Sequence, residues 1–116
     1  PDNTKRALYK ACSQLKTMLC SPEGQIKHLW STPDRWPHQR MWLWDSVFHA
    51  MGLRHLDPQM ARDIISAVLD CQRQDGFIAL DATPEQIHTM TQPPVLALGV
   101  QKVLEAEDAP DWWRKC

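Results

Sequence analysis

Several common signals are scarce in this chain, and each absence narrows what it can be. No run of apolar residues approaches the ~20 needed to cross a bilayer as a helix, so no membrane-spanning segment is expected. The first residues, PDNTKRALYK, have no apolar core of a signal peptide. Neither sign of charge dominates: 13 basic against 14 acidic side chains give a net charge of −1, with the two interspersed. That balance gives no footing for nucleic acid or an anionic membrane, and the two adjacent cations in the closing DWWRKC are too few for a binding patch. The four glycines form no phosphate-cradling loop.

Cysteine is sparse and badly spaced for chemistry. Cys12, Cys20, Cys71 and Cys116 contain no C-x-x-C pair for zinc or redox work, and match no compact disulfide scaffold. Free thiols and a cytoplasmic setting are therefore expected. Five histidines are present, but no pair has the i, i+4 spacing of a helical metal site. His49, next to Phe48, reads as a core-edge residue rather than a ligand. No metal, no cofactor and no Ser–His constellation is expected.

What the chain has is tryptophan: six, beside one tyrosine and two phenylalanines. So much rigid indole area exceeds what a small core usually uses. At 116 residues the chain is expected to form one domain, residues 1–116.

The periodicity is helical. Leu8, Ala11, Cys12, Leu15, Met18 and Leu19 recur at three and four residues, predicting a buried stripe on a helix over 4–20, ended by the turn residues SPEG. A second helix is expected from Asp45 or Ser46 to about Arg54, with Phe48, Met51, Gly52 and His55 sharing a face. Asp57 is placed to cap a third helix over 58–74, with Pro58 at its first position and Gly76 past its end. A fourth starts at TQPP, with Thr91 or Gln92 as cap and Pro93 and Pro94 in the first turn; Asp111 opens a fifth. No useful alternating pattern appears beyond an extended piece at 77–80. The fold class predicted is all-α, four to five helices paired as αα-hairpins.

Two long polar loops, 25–43 and 75–91, feed the second and fourth helices, and loops of that length are often functional. The first delivers Trp42, Trp44 and Asp45 to a helix mouth. Two accounts compete for them. Asp45 or Ser46 caps the helix while the rings anchor the loop. Alternatively the carboxylate and indoles face a sugar, whose hydroxyls take charged or amide groups and whose C–H faces take flat aromatic area. A capping carboxylate cannot also face a cleft, so the two exclude each other for Asp45.

The letters themselves go further. MWLWDSVFHAMGL, CQRQDGFI and TQPPVLALGV, in that order, resemble the α-toroid glycoside hydrolases of family 63 and their relatives, among them the bacterial hydrolases of mannosylglycerate and glucosylglycerate and, more distantly, trehalases. The likeness covers about residues 25–105. It implies that the chain is an arc of an (α/α)6 barrel, whose loops at one end form the sugar pocket. Carried over by motif, Trp44 and Asp45 contact the sugar of the −1 subsite, and Gln92 lies at the same rim. Trp42 and the 34–41 loop, with Arg35 and Arg40, line the entrance.

The chain also departs from that pattern. A twelve-helix toroid needs several hundred residues, and the motifs holding the family's general acid and base do not occur here. Inverting glycosidases need two carboxyls ~6.5–9.5 Å apart; the loop residues Asp34, Asp75 and Asp81 read instead as solvated side chains. The resemblance thus implies the sugar-gripping part of a glycoside hydrolase, inactive as an isolated chain. The alternative is a non-catalytic carbohydrate-binding or helical interaction domain. Expected partners are a small carbohydrate or glycoside, and the remainder of the barrel or a second copy in a homo-oligomer, since an arc leaves apolar helix faces uncovered.

Overall fold

The computed structural model describes residues 2–107 and 109–114. Five helices dominate: α1 (Asn3–Thr17), α2 (Leu43–Leu53), α3 (Pro58–Asp70), α4 (Leu96–Leu104) and α5 (Pro110–Trp113). Between them run four two-residue strands, β1 (Leu19–Cys20), β2 (Trp30–Ser31), β3 (Met41–Trp42) and β4 (Asp81–Ala82). The chain is thus mostly helical, with two small antiparallel sheets that an all-α reading leaves out. In β1–β2 Leu19 faces Ser31 and Cys20 faces Trp30; in β3–β4 Met41 faces Ala82 and Trp42 faces Asp81.

The first helix stops three residues short of expectation because Leu19 and Cys20 are taken by β2. The Met18 carbonyl accepts from the Thr32 N–H at 3.0 Å, and SPEG becomes the turn between the strands. Gly24 closes that turn at φ +56, a left-handed conformation that disfavours any side chain. A second constraint acts on it: a Cβ here would lie 2.2 Å from the Pro84 carbonyl oxygen. The expected buried stripe of α1 is also corrected. No residue of α1 is buried, and Leu8 is 59% exposed. Only the helix's end, through Leu15 and then Leu19, packs on the body.

α3 follows its signals closely. Asp57 accepts from the Met60 N–H at 3.1 Å, and Pro58 opens the helix. Its Ala61, Ile64 and Ile65 join Val47, Ala50 and Leu53 of α2 and Val103 of α4 in one core cluster. Ala67 and Val68 enter a second cluster with Ile26, Trp30, Met41, Leu43, Cys71 and Ala82. α3 therefore holds the helices on one side and the short strands on the other. It ends at Asp70, not 74, and Gly76 takes the positive φ of the following turn.

α2 buries a different face from the one anticipated. Leu43, Ser46, Val47, Ala50 and Leu53 face inward, leaving Phe48 exposed. The small side chains on that face allow close approach: a Cβ at Gly99 of α4 would lie 2.8 Å from Val47 Cγ1. Of the tryptophans, Trp30 is core, its Nε1–H donating to the Ser21 carbonyl at 2.8 Å. Trp112 closes over α3 by donating to Ser66 Oγ at 2.9 Å. Trp36, Trp44 and Trp113 are exposed.

Candidate functional site

Strand β3 runs without interruption into α2, so the helix mouth is anchored by a sheet. Its first N–H groups need acceptors from elsewhere in the chain. The Leu43 N–H donates to the Leu80 carbonyl at 2.9 Å. The Trp44 N–H donates to the side-chain Oε1 of Gln92 at 2.9 Å, across 48 residues of sequence. The formal cap residue is Trp42, which has no oxygen to offer.

Asp45, which with Ser46 is a candidate cap, instead sits within the first turn. Among the described residues its carboxylate accepts no hydrogen bond. Both oxygens are left unspent, within the first turn at the helix's positive end, where a negative charge is favoured. Trp44 beside it is 43% exposed. Ser46, the other expected cap, is fully buried, and its hydroxyl has no partner.

Gln92 was expected to cap α4 and does not. That helix begins at Leu96 with no side-chain cap. The reason is local: a residue preceding proline avoids the helical region, so Gln92 before Pro93, and Pro93 before Pro94, stay out of the helix. Freed from α4, the Gln92 amide reaches α2. It also borders an open depression of about 330 Å³, lined among others by Leu43, Gly76, Ile78, Pro94 and Leu96. That volume reaches the lower end of ligand-sized pockets. Trp44 and Asp45 stand at the helix mouth but do not line the depression.

Trp42 is half-buried. Its indole donates to the His38 carbonyl at 3.2 Å and meets the His38 ring edge-on at 6.4 Å. The two arginines of the preceding loop are both engaged. Arg35 turns to α1, its Nε donating to the Thr17 carbonyl at 2.9 Å. Arg40 Nε donates to Asp81, a carboxylate only 4% exposed and held in β4. Asp81 is thus a buried ion-pair partner, not a solvated loop residue. The β4 segment doubles back: the Leu80 N–H meets the Met90 carbonyl at 2.7 Å, and the His88 N–H meets that of Asp81 at 3.1 Å. The extended piece therefore falls at Asp81–Ala82 rather than 77–80.

The other loop carboxylates are occupied as well. Asp34 accepts from the Trp36 N–H at 2.9 Å and pairs with His38, contacts that lower its pKa. Asp75 pairs with Arg73 and accepts from the Phe77 N–H. The first loop is fastened to α3 by Asp70, which accepts from the N–H groups of Lys27 and His28 and from the His28 ring.

A Ser–His pair, absent from the sequence reading, is present. His49 Nδ1 lies 2.9 Å from Ser31 Oγ, joining α2 to β2 across 18 residues. No short motif could have shown it. Among the described residues no group of three or more His, Cys, Asp or Glu side chains could hold a metal ion. Cys12, Cys20 and Cys71 are free thiols, and burial pushes Cys71 up to about 11. Cys116 lies outside the described residues.

The helix mouth thus sets an indole beside an unengaged carboxylate, with polar loops folded around it. The family model of the mannosylglycerate hydrolase MGH1-like glycoside hydrolase domain matches residues 37–116, and the chain belongs to that family. No curated protein matches the chain.

Proposed function

We propose that this chain forms the sugar-gripping part of an MGH1-like glycoside hydrolase, an arc of an (α/α)6 barrel contributing to the −1 subsite. Trp44 offers its indole to a C–H face of the sugar, and Asp45 accepts from its hydroxyls. Gln92 sets the first turn of α2 through Oε1 and turns its amide N–H groups to the same rim; Trp42 backs the entrance. The observation that carries this reading is the Asp45 carboxylate, left free at the helix mouth because Gln92 caps in its place. In this reading the general acid and base come from other residues of the enzyme, which the engagement of Asp34, Asp75 and Asp81 in local structure supports.

Titrating mannosylglycerate, glucosylglycerate and trehalose while following tryptophan fluorescence tests this reading. A saturable response that Asp45→Asn abolishes, without turnover, is expected. No response up to tens of millimolar removes the sugar reading. Hydrolysis lost in Asp45→Ala would mean the chain carries its own catalytic pair.

A helical interaction domain is the second reading, favoured by Leu8, Tyr9 and Phe48 standing exposed on helices. It predicts a dimer or larger assembly by light scattering, with or without sugar.

A further inference from the structure

One polar residue on the Asp45 side of α2 has no place in the reading so far. His49 follows Asp45 by four residues, one turn along the same face. Its ring is fixed by Ser31, which is 1% exposed and has no other side-chain hydrogen-bond partner. A buried hydroxyl proton is usually given an acceptor, and His49 Nδ1 lies within reach of that of Ser31. Ser31 therefore donates, Nδ1 is bare, and the neutral ring carries its proton on Nε2. Burial favours that neutral ring, against an opposing pull from the nearby Asp45 carboxylate.

Nε2 has no hydrogen-bond partner among the described residues, and His49 is half-buried rather than sealed. The same holds for Asp45 and its oxygens. The two groups are close enough to interact electrostatically but do not bond to each other. One turn of helix thus presents an N–H donor beside a carboxylate that only accepts. A neutral hydroxyl, which both donates and accepts, complements that pair. An anion would be repelled by Asp45, and an ammonium would find nothing to bond at Nε2–H.

We propose that His49 is a second hydroxyl ligand of the sugar site, donating from Nε2–H to the hexose that Asp45 accepts from, with Ser31 as the positioning residue that fixes its tautomer. The proposal rests on the reading of Asp45 as a sugar ligand. The test is a titration of the chain with mannosylglycerate, following tryptophan fluorescence and the His49 ring nitrogens by long-range proton–nitrogen NMR. The expected result is a bare Nδ1 before ligand is added, and an Nε2 shift that saturates with the same midpoint as the indole signal. His49→Met should weaken binding roughly five- to tenfold, the loss of one hydrogen bond. His49→Gln, which returns an N–H donor at a similar reach, should recover most of it.

A tryptophan response with a silent Nε2, or with the ring proton on Nδ1, overturns the role of His49 and leaves the sugar site standing. The wild-type spectra decide this even if the variants fail to fold. Silence of both probes up to tens of millimolar removes the sugar reading and this inference with it.

Discussion

Replacing Gln92 by alanine removes the one side-chain acceptor that holds the mouth of α2. The Trp44 N–H donates to Gln92 Oε1 at 2.9 Å, so the substitution orphans a helix N-terminal donor. Loss of a side-chain cap typically costs about 0.5–2 kcal/mol. Trp44 is exposed, so water can replace the lost oxygen, and the expected cost falls to about 0.5–1 kcal/mol. Urea denaturation reads that global cost. Amide exchange reads it locally, and the Trp44 N–H should exchange roughly two- to fivefold faster. Gln92→Glu separates the roles of the side chain. It keeps an oxygen at the helix's positive end but adds a charge near Asp45, so stability at neutral pH should stay close to that of the parent. It discards the amide N–H groups, so any direct contact of Gln92 with sugar appears as weakened binding at unchanged stability. Unchanged Trp44 exchange in Gln92→Ala would refute the cap, and with it the account of why Asp45 is free.

Gly24→Ala should cost about 3 kcal/mol, combining a left-handed backbone with a Cβ driven onto the Pro84 carbonyl, whereas Gly76→Ala, at φ +85 in open space, should cost only about 1–2 kcal/mol; equal thermal shifts would contradict the contact between the two loops. Acidification should weaken the fold through His49: burial first, opposed by Asp45, sets its folded pKa below the unfolded value of about 6.5, so its contribution is complete above that pH and is lost as pH falls through the folded value. Denaturation midpoints measured from pH 7 to 5 should decline less in His49→Gln, and parallel declines would exclude His49 as a source.

Local rules carried the sequence where structure was local. Asp57 and Pro58 start α3, and Gly76 takes the turn after it, because each signal acts within one helical turn. The four strands left no trace, since two residues cannot display an alternation and their pairing depends on partners 10 to 41 positions away. The buried face of α2 was misjudged for a related reason. Phe48 makes an apolar position as good as Val47, whereas the close approach of Gly99 to Val47 favours the face of smaller side chains, with Met51 packed at its edge. At the site, the motif WDS located the helix mouth and the family. The hydrogen-bond partners that fix this helix mouth and turn, Gln92 for Trp44 and Ser31 for His49, lie 48 and 18 residues distant and cannot be read from spacing.

The sequence poses Asp45 as either a cap or a ligand, and that choice assumes the cap must come from the helix's own start. A helix N-terminus asks only for oxygen acceptors, from any distance. Here a backbone carbonyl, Leu80, and a neutral amide, Gln92, meet the first two N–H groups. A neutral acceptor satisfies the donor without adding a charge beside Asp45, so the field of the helix acts on a carboxylate whose oxygens are still available. Both acceptors belong to one segment, 80–92, which is pinned by the Arg40–Asp81 ion pair and by β3–β4 pairing. Substitutions that loosen that segment should therefore disturb Asp45 without touching it. Arg40→Met is the sharpest case: it strands a buried carboxylate, and its effect should reach Trp44 exchange through Leu80 and Gln92 before it reaches α3.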